Sequence, residues 1–183
     1  MKAVRGFHKD MTATLGKGIF QYEPGKTYRE EECKARTTGF HFTEYPPDCL
    51  EYYGLGKGNR YFLVDVKDIN DNDDKVSACK EMTLEKELNM QQFAALTMMY
   101  MVNNPRMDWE RKLHMCTIKK DEARANEEGA IAIARGADPV VEGVKGAILG
   151  LMREAEGILA ARVFTAKEAG RYRISEDSEV VPL

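Results

Sequence analysis

The stretch Tyr61-Phe62-Leu63-Val64-Asp65-Val66 does most to narrow what this chain can fold into. It is bulky, aromatic or β-branched nearly throughout, and its almost continuous apolar character suits the centre of a sheet rather than an edge. A central strand needs neighbours, and the first third of the chain supplies them. Lys2 to Phe7 and Ile19 to Tyr22 are β-prone, and Glu23-Pro24-Gly25-Lys26 places Pro and Gly at the two corners of a turn. In Gly39-Phe40-His41-Phe42-Thr43 the alternation puts Phe40 and Phe42 on one face, toward a core, and His41 on the other. Pro46-Pro47-Asp48 opens a short helix whose apolar stripe is Cys49, Leu50, Tyr52 and Tyr53, with Gly54 and Gly56 ending it.

Further along, Lys75 to Leu84 forms another strand. Before it lies Asp68-Ile69-Asn70-Asp71-Asn72-Asp73-Asp74, whose alternating oxygen donors resemble the start of a calcium loop. The sixth position is Asp73 where a sharp turn needs Gly, and the twelfth is Cys79 where a bidentate Glu belongs, so a solvated turn between strands is expected. Asn89 caps a helix, Gln92 completes the capping box, and Met90 to Val102 runs until Asn103-Asn104-Pro105 stops it. Met98, Met99 and Met101 make its second half apolar almost all round, which suits a buried helix or an adaptable surface for a second copy. The charge-rich stretch Met107 to Glu128, with Trp109, is expected to be helical in part.

Gly129, Gly136, Gly143, Gly150 and Gly157 stand seven residues apart. A narrow β-solenoid explains such a period: each coil edge takes a Gly with positive φ, while Ala130, Ala132 and Ala134 fill a cramped interior. Chance spacing among 15 glycines is the plainer alternative. Ile158 to Thr165, Arg171 to Ser175 and Glu179 to Val181 follow as strands. The expected fold is therefore α+β: a mixed strand-rich module over 1–84, a helical connecting segment over 85–128, and a β-rich section with a short solenoid-like turn over 129–183.

Composition excludes several classes. The four cysteines are widely spaced with no C-x-x-C pair, so neither a disulfide framework nor a zinc ribbon is expected. The three histidines lack ligand spacing, and no metal or cofactor is expected. Net charge of −3 argues against a general phosphate-backbone binder, and sequence-specific nucleic-acid binding is not expected. The opening MKAVRGFHKD lacks the apolar stretch of a signal peptide, and no run approaches a membrane span. Gly54-Leu55-Gly56-Lys57-Gly58 precedes a strand rather than opening a helix, so it is no phosphate loop.

Arg5-Gly6-Phe7, Gly18-Ile19-Phe20-Gln21-Tyr22-Glu23, Gly39-Phe40-His41-Phe42, Asp48-Cys49-Leu50, Tyr52-Tyr53 and Tyr61 to Val66 occur in an order that resembles an uncharacterised domain family of phages and gut bacterial prophages. Longer members of that family also resemble this chain over Gly129 to Leu183, whereas Glu85 to Glu128 departs from the pattern. The resemblance implies phage biology in the cytoplasm of a bacterial host. One branch of phage proteins of this size is similar to anti-CRISPR inhibitors of the type II effector nuclease. By that resemblance the protein would bind an effector carrying its guide RNA, without catalysis. Glu30, Glu31 and Glu32, with Asp68, Asp71, Asp73 and Asp74, would meet a basic channel as a decoy for phosphates. Met98, Met99 and Met101 would offer an oligomer contact.

A second resemblance is to the element order of ADP-ribosyltransferases, which hold NAD between such strands. It implies Arg5, Thr43 and Glu81 as an alternative catalytic set, although no Ser-Thr-Ser stretch is present and element order alone does not establish function. A phage structural or accessory protein is a third expectation.

Overall fold

The computed structural model describes residues 1–15, 18–72 and 75–183. The chain divides into two compact units, Met1–Asn89 and Met90–Leu183. It is strand-rich in both. The boundary falls after Asn89, so 85–128 is not a separate connector: its first residues complete a strand of the first unit and the rest belongs to the second.

In the first unit, β1 (Lys2–Phe7), β6 (Arg60–Asn72), β7 (Ser77–Glu87) and β4 (Thr27–Arg29) form an antiparallel sheet in the order β1-β6-β7-β4, and β5 (Phe40–Phe42) also pairs β7. β2 (Thr12–Leu15) and β3 (Gly18–Gln21) make a separate hairpin. The apolar run at Tyr61 to Val66 lies in β6 between two neighbours, as its composition demands. Phe7, Tyr22, Phe40, Phe42, Phe62, Val64, Cys79, Met82 and Leu84 form the core. Its rings meet edge to face, Phe7 and Tyr22 with centroids 5.0 Å apart and Phe7 and Phe62 at 5.6 Å, the arrangement that ring quadrupoles favour. A 3-10 helix, Pro46–Glu51, begins on the expected prolines.

The acidic run does not begin as a turn. β6 continues through Asn72, pairing Ile69 with Cys79, Asp71 with Ala78 and Asn72 with Ser77, with an irregularity between Ile69 and Asp71. Pairing to β7 converts Asp68 to Asn72 into the far end of a long hairpin, and Asp68 takes a φ of 52° there. Asp73 and Asp74 lie outside the described residues.

The second unit opens with α1 (Met90–Asn103), close to its sequence-based limits. The stretch expected to be partly helical instead forms β8 (Arg111–Leu113) and β9 (Cys116–Ala125). Cys116 and Ile118 are buried on alternate positions of β9, a period-two signal that the surrounding charges hide. β10 (Ile131–Gly143) and β11 (Ile148–Glu154) run parallel to β9, and β12 (Ile158–Thr165), β13 (Gly170–Ile174) and β14 (Val180–Pro182) complete the sheet antiparallel.

Parallel neighbours joined by short connections impose a shape on these strands. Residues 126–130 can span only about 20 Å from Ala125 to Ile131, whereas β9, if straight, would run about 30 Å. Yet Ile131 pairs with Cys116 at the other end of β9. The strand cannot run straight, and the break in register between Arg135 and Val140, beside Asp121 with φ 62°, is where it bends.

The stacking repeat is seventeen residues for the second pair, Ile131 on Ile148, rather than seven. Gly129 (φ 75°) and Gly146 (φ 82°) sit at one corner, where the Gly129 N–H donates to the Gly146 carbonyl at 3.1 Å. Such a φ is strained for any residue with a Cβ. Gly136, Gly143 and Gly150 have no positive φ; they are small because side chains press on them, as Met98 Sδ would lie 2.8 Å from a Cβ at Gly150.

Candidate functional site

A cavity of about 580 Å³ opens in the first unit, lined by residues of β1, of β5 and the 3-10 helix and of the segments just after them, including Arg5, Gly6, His41, Thr43, Glu51 and Tyr53. Its origin lies in the sheet. Val4 of β1 and Thr43, the residue after β5, exchange backbone hydrogen bonds at 3.0 and 2.9 Å, forming a single isolated bridge. No further rung follows among the described residues, so the strands part beyond it. The next antiparallel partner of Gly6 would be His41. Instead, Tyr53 packs over Gly6, where an added Cβ would come within 2.7 Å of it, and the Arg5 guanidinium reaches across. Arg5 Nη1 donates to the His41 carbonyl at 2.6 Å, satisfying an acceptor that a ladder bond would otherwise take.

Arg5 is 4% exposed. Its guanidinium carbon lies 4.8 Å from the Tyr22 ring centroid and 5.3 Å from that of Phe7, positions that let aromatic faces partly offset the lost hydration. No carboxylate pairs with it among the described residues. Arg5 Nε and His41 Nε2 are both buried without a hydrogen-bond partner. Burial holds the His41 imidazole below its ordinary pKa and the Arg5 charge adds to this, while a hydrogen bond with the Lys34 backbone opposes both. Burial also pushes the nearby Cys79 thiol up to about 12, so it stays protonated at neutral pH and is no nucleophile.

Arg5 and Thr43 thus share one cavity, as the alternative catalytic set requires, but Glu81 does not line it. Glu81 is held by Arg29 at 2.6 Å and Lys67 at 2.8 Å, and these cations keep its carboxyl below the usual range. The carboxylate lining the cavity is Glu51, which bonds Lys75 Nζ at 2.5 Å. Sequence reading missed Glu51 and His41 as a pair because they sit on different elements; the only local signal was His41 standing opposite Phe40 and Phe42.

Glu30, Glu31 and Glu32 are exposed, follow β4 directly, and form no ion pair among the described residues. Asp68 is exposed on β6; the side chain of Asp71 and both residues Asp73 and Asp74 lie outside what is described. Met98 and Met101 are buried inside the second unit, because α1 packs on β11 and β12; Met99, 55% exposed, alone of the three faces solvent. Among the described residues no helix is long and apolar enough to cross a membrane.

A family model described as "Domain of unknown function (DUF7666)" matches residues 1–96. The chain belongs to that family. No curated protein matches it, and no solved structure does. Every residue lining the cavity falls within the DUF7666 match, so the cavity belongs to the DUF7666 portion of the chain.

Proposed function

We propose that this DUF7666 protein is a phage counter-defence protein that acts by binding. Its partner would be a CRISPR effector nuclease loaded with guide RNA, in the cytoplasm of a bacterial host, and its effect would be to block DNA recognition or cleavage. One observation carries the reading: Glu30, Glu31 and Glu32 form an exposed run of three carboxylates with no ion pair among the described residues, while Glu81, Glu87, Asp65 and Glu51 are each tied to a cation. Unpaired acidic side chains suit a basic nucleic-acid channel, which such effectors use to hold the guide–target heteroduplex. A second copy could meet the first around Met99. The parallel stack of β9, β10 and β11 is read as a short solenoid-like turn that stiffens the second unit.

The test is retention of the purified full chain on a guide-loaded effector, with protection of target DNA from cleavage. Replacing all three glutamates by Gln should weaken both. An effector that neither binds the protein nor loses activity at excess rejects the proposal.

One specific observation supports a second reading, an ADP-ribosyltransferase-like enzyme using NAD: Arg5 and Thr43 converge on a cavity that also holds a carboxylate, Glu51. It requires NAD turnover by the wild type that is lost in Arg5→Ala and in Glu51→Gln. Turnover that survives both changes rejects it.

A further inference from the structure

The parting of β1 and β5 leaves hydrogen-bonding groups that the protein itself does not satisfy. A buried guanidinium is expensive unless paired, yet Arg5 has no carboxylate partner among the described residues and its Nε is unbonded. His41 Nε2 is a second buried and unbonded atom on the same cavity. A further donor follows from strand geometry. Alternate residues direct their N–H groups to the same side, so Gly6 points its N–H into the gap, as Val4 points its own at Thr43. The remaining wall is largely apolar and aromatic, supplied by Phe42, Tyr52, Tyr53 and Val76. A volume near 580 Å³ lies within the range of small-molecule sites.

We propose that this cavity binds a small molecule carrying one compact oxyanion, phosphate or carboxylate, on a flat apolar body. The oxyanion accepts from Arg5 and from the Gly6 N–H, and from His41 Nε2 when the imidazole is protonated. The flat body lies against the tyrosines. Glu51 disfavours any further negative charge. The assignment rests on neither effector docking nor NAD chemistry, and its test reads a different signal from theirs.

The full chain, labelled with ¹⁵N, is titrated with phenyl phosphate, benzoate and benzyl alcohol at low salt while the amides of Gly6, His41 and Thr43 are followed. Saturable shifts at these amides are expected with phenyl phosphate or benzoate, and the tighter of the two identifies the oxyanion. Benzyl alcohol should bind at least about tenfold more weakly, the loss expected when a charged hydrogen-bond group goes unmatched. Arg5→Gln, with native amide dispersion, should lose at least about tenfold in affinity for the anion. If that variant does not fold, Glu51→Gln decides: tighter phenyl phosphate binding supports the site, and unchanged or weaker binding overturns it. Absence of saturable shifts with both anions, equal affinity for benzyl alcohol, or an unchanged affinity in folded Arg5→Gln also overturns it.

Discussion

Arg5 shows how one residue can be poorly chosen for stability and well chosen for a site. Its burial is offset by the His41 carbonyl and two aromatic faces rather than by an opposite charge. Removing a buried charge that has no opposite partner also removes its desolvation cost. Arg5→Met should therefore cost no more than the about 1–3 kcal/mol of an unsatisfied His41 carbonyl, measurable by denaturant unfolding, while abolishing anion binding. His41 gives a pH dependence with a definite sign. The folded imidazole titrates below the 6.5 of an unperturbed histidine, so the unfolded chain takes up its proton first. The stability contributed is full above about 6.5 and is lost as pH falls through the folded value. Arg5, Glu51, Arg36, His8 and Tyr53 line the same cavity, and Arg5 is the charged neighbour that lowers His41. Unfolding of wild type and His41→Gln between pH 7 and 5 should show the wild type losing more. Equal losses would mean that another group is responsible.

At the scale of elements, α1 was legible because its signals are local: a capping box at Asn89 and Gln92, and a stop at Asn104-Pro105. β9 was not, because Lys119 to Glu122 and the other charges of 107–128 resemble a solvated helix, and only its pairing with β10 makes it a strand. The seven-residue glycine period is not the spacing of the paired strands. Gly129 has the expected positive φ, but the glycine it bonds is Gly146, outside the seven-residue series. Gly150 belongs to packing: a Cβ there would come within 2.8 Å of Met98 Sδ and 2.9 Å of Ile133 Cγ1. Gly150→Val should destabilise the second unit by about 1–3 kcal/mol, the usual cost of overpacking, and lower its thermal midpoint. Met98→Ala in the same background should recover part of that loss, since it vacates the contact; no recovery would place the strain elsewhere.

For the molecule as a whole, two units with separate sheets and separate cores imply separable folding. A fragment of Met1–Asn89 should fold alone and retain the cavity, seen as native amide dispersion and the same phenyl phosphate shifts; a disordered fragment would show that the units depend on each other. If effector binding runs through Glu30, Glu31 and Glu32, its association should slow as salt rises, because exposed charges are screened over about 10 Å at 0.1 M. The triple Gln variant should show a flatter salt dependence, and an unchanged slope would place the contact on another surface. The sequence alone determined the strand at Tyr61 to Val66, the aromatic face of Phe40 and Phe42, α1 and the terminal strands, because alternation, caps and turns act over a few residues. Tertiary structure decided the rest. Whether β9 bends, whether Glu51 or Glu81 accompanies Arg5, and whether β1 and β5 zip shut or part around a cavity all depend on which distant backbone groups pair. Those pairings are set by the packing of the whole unit.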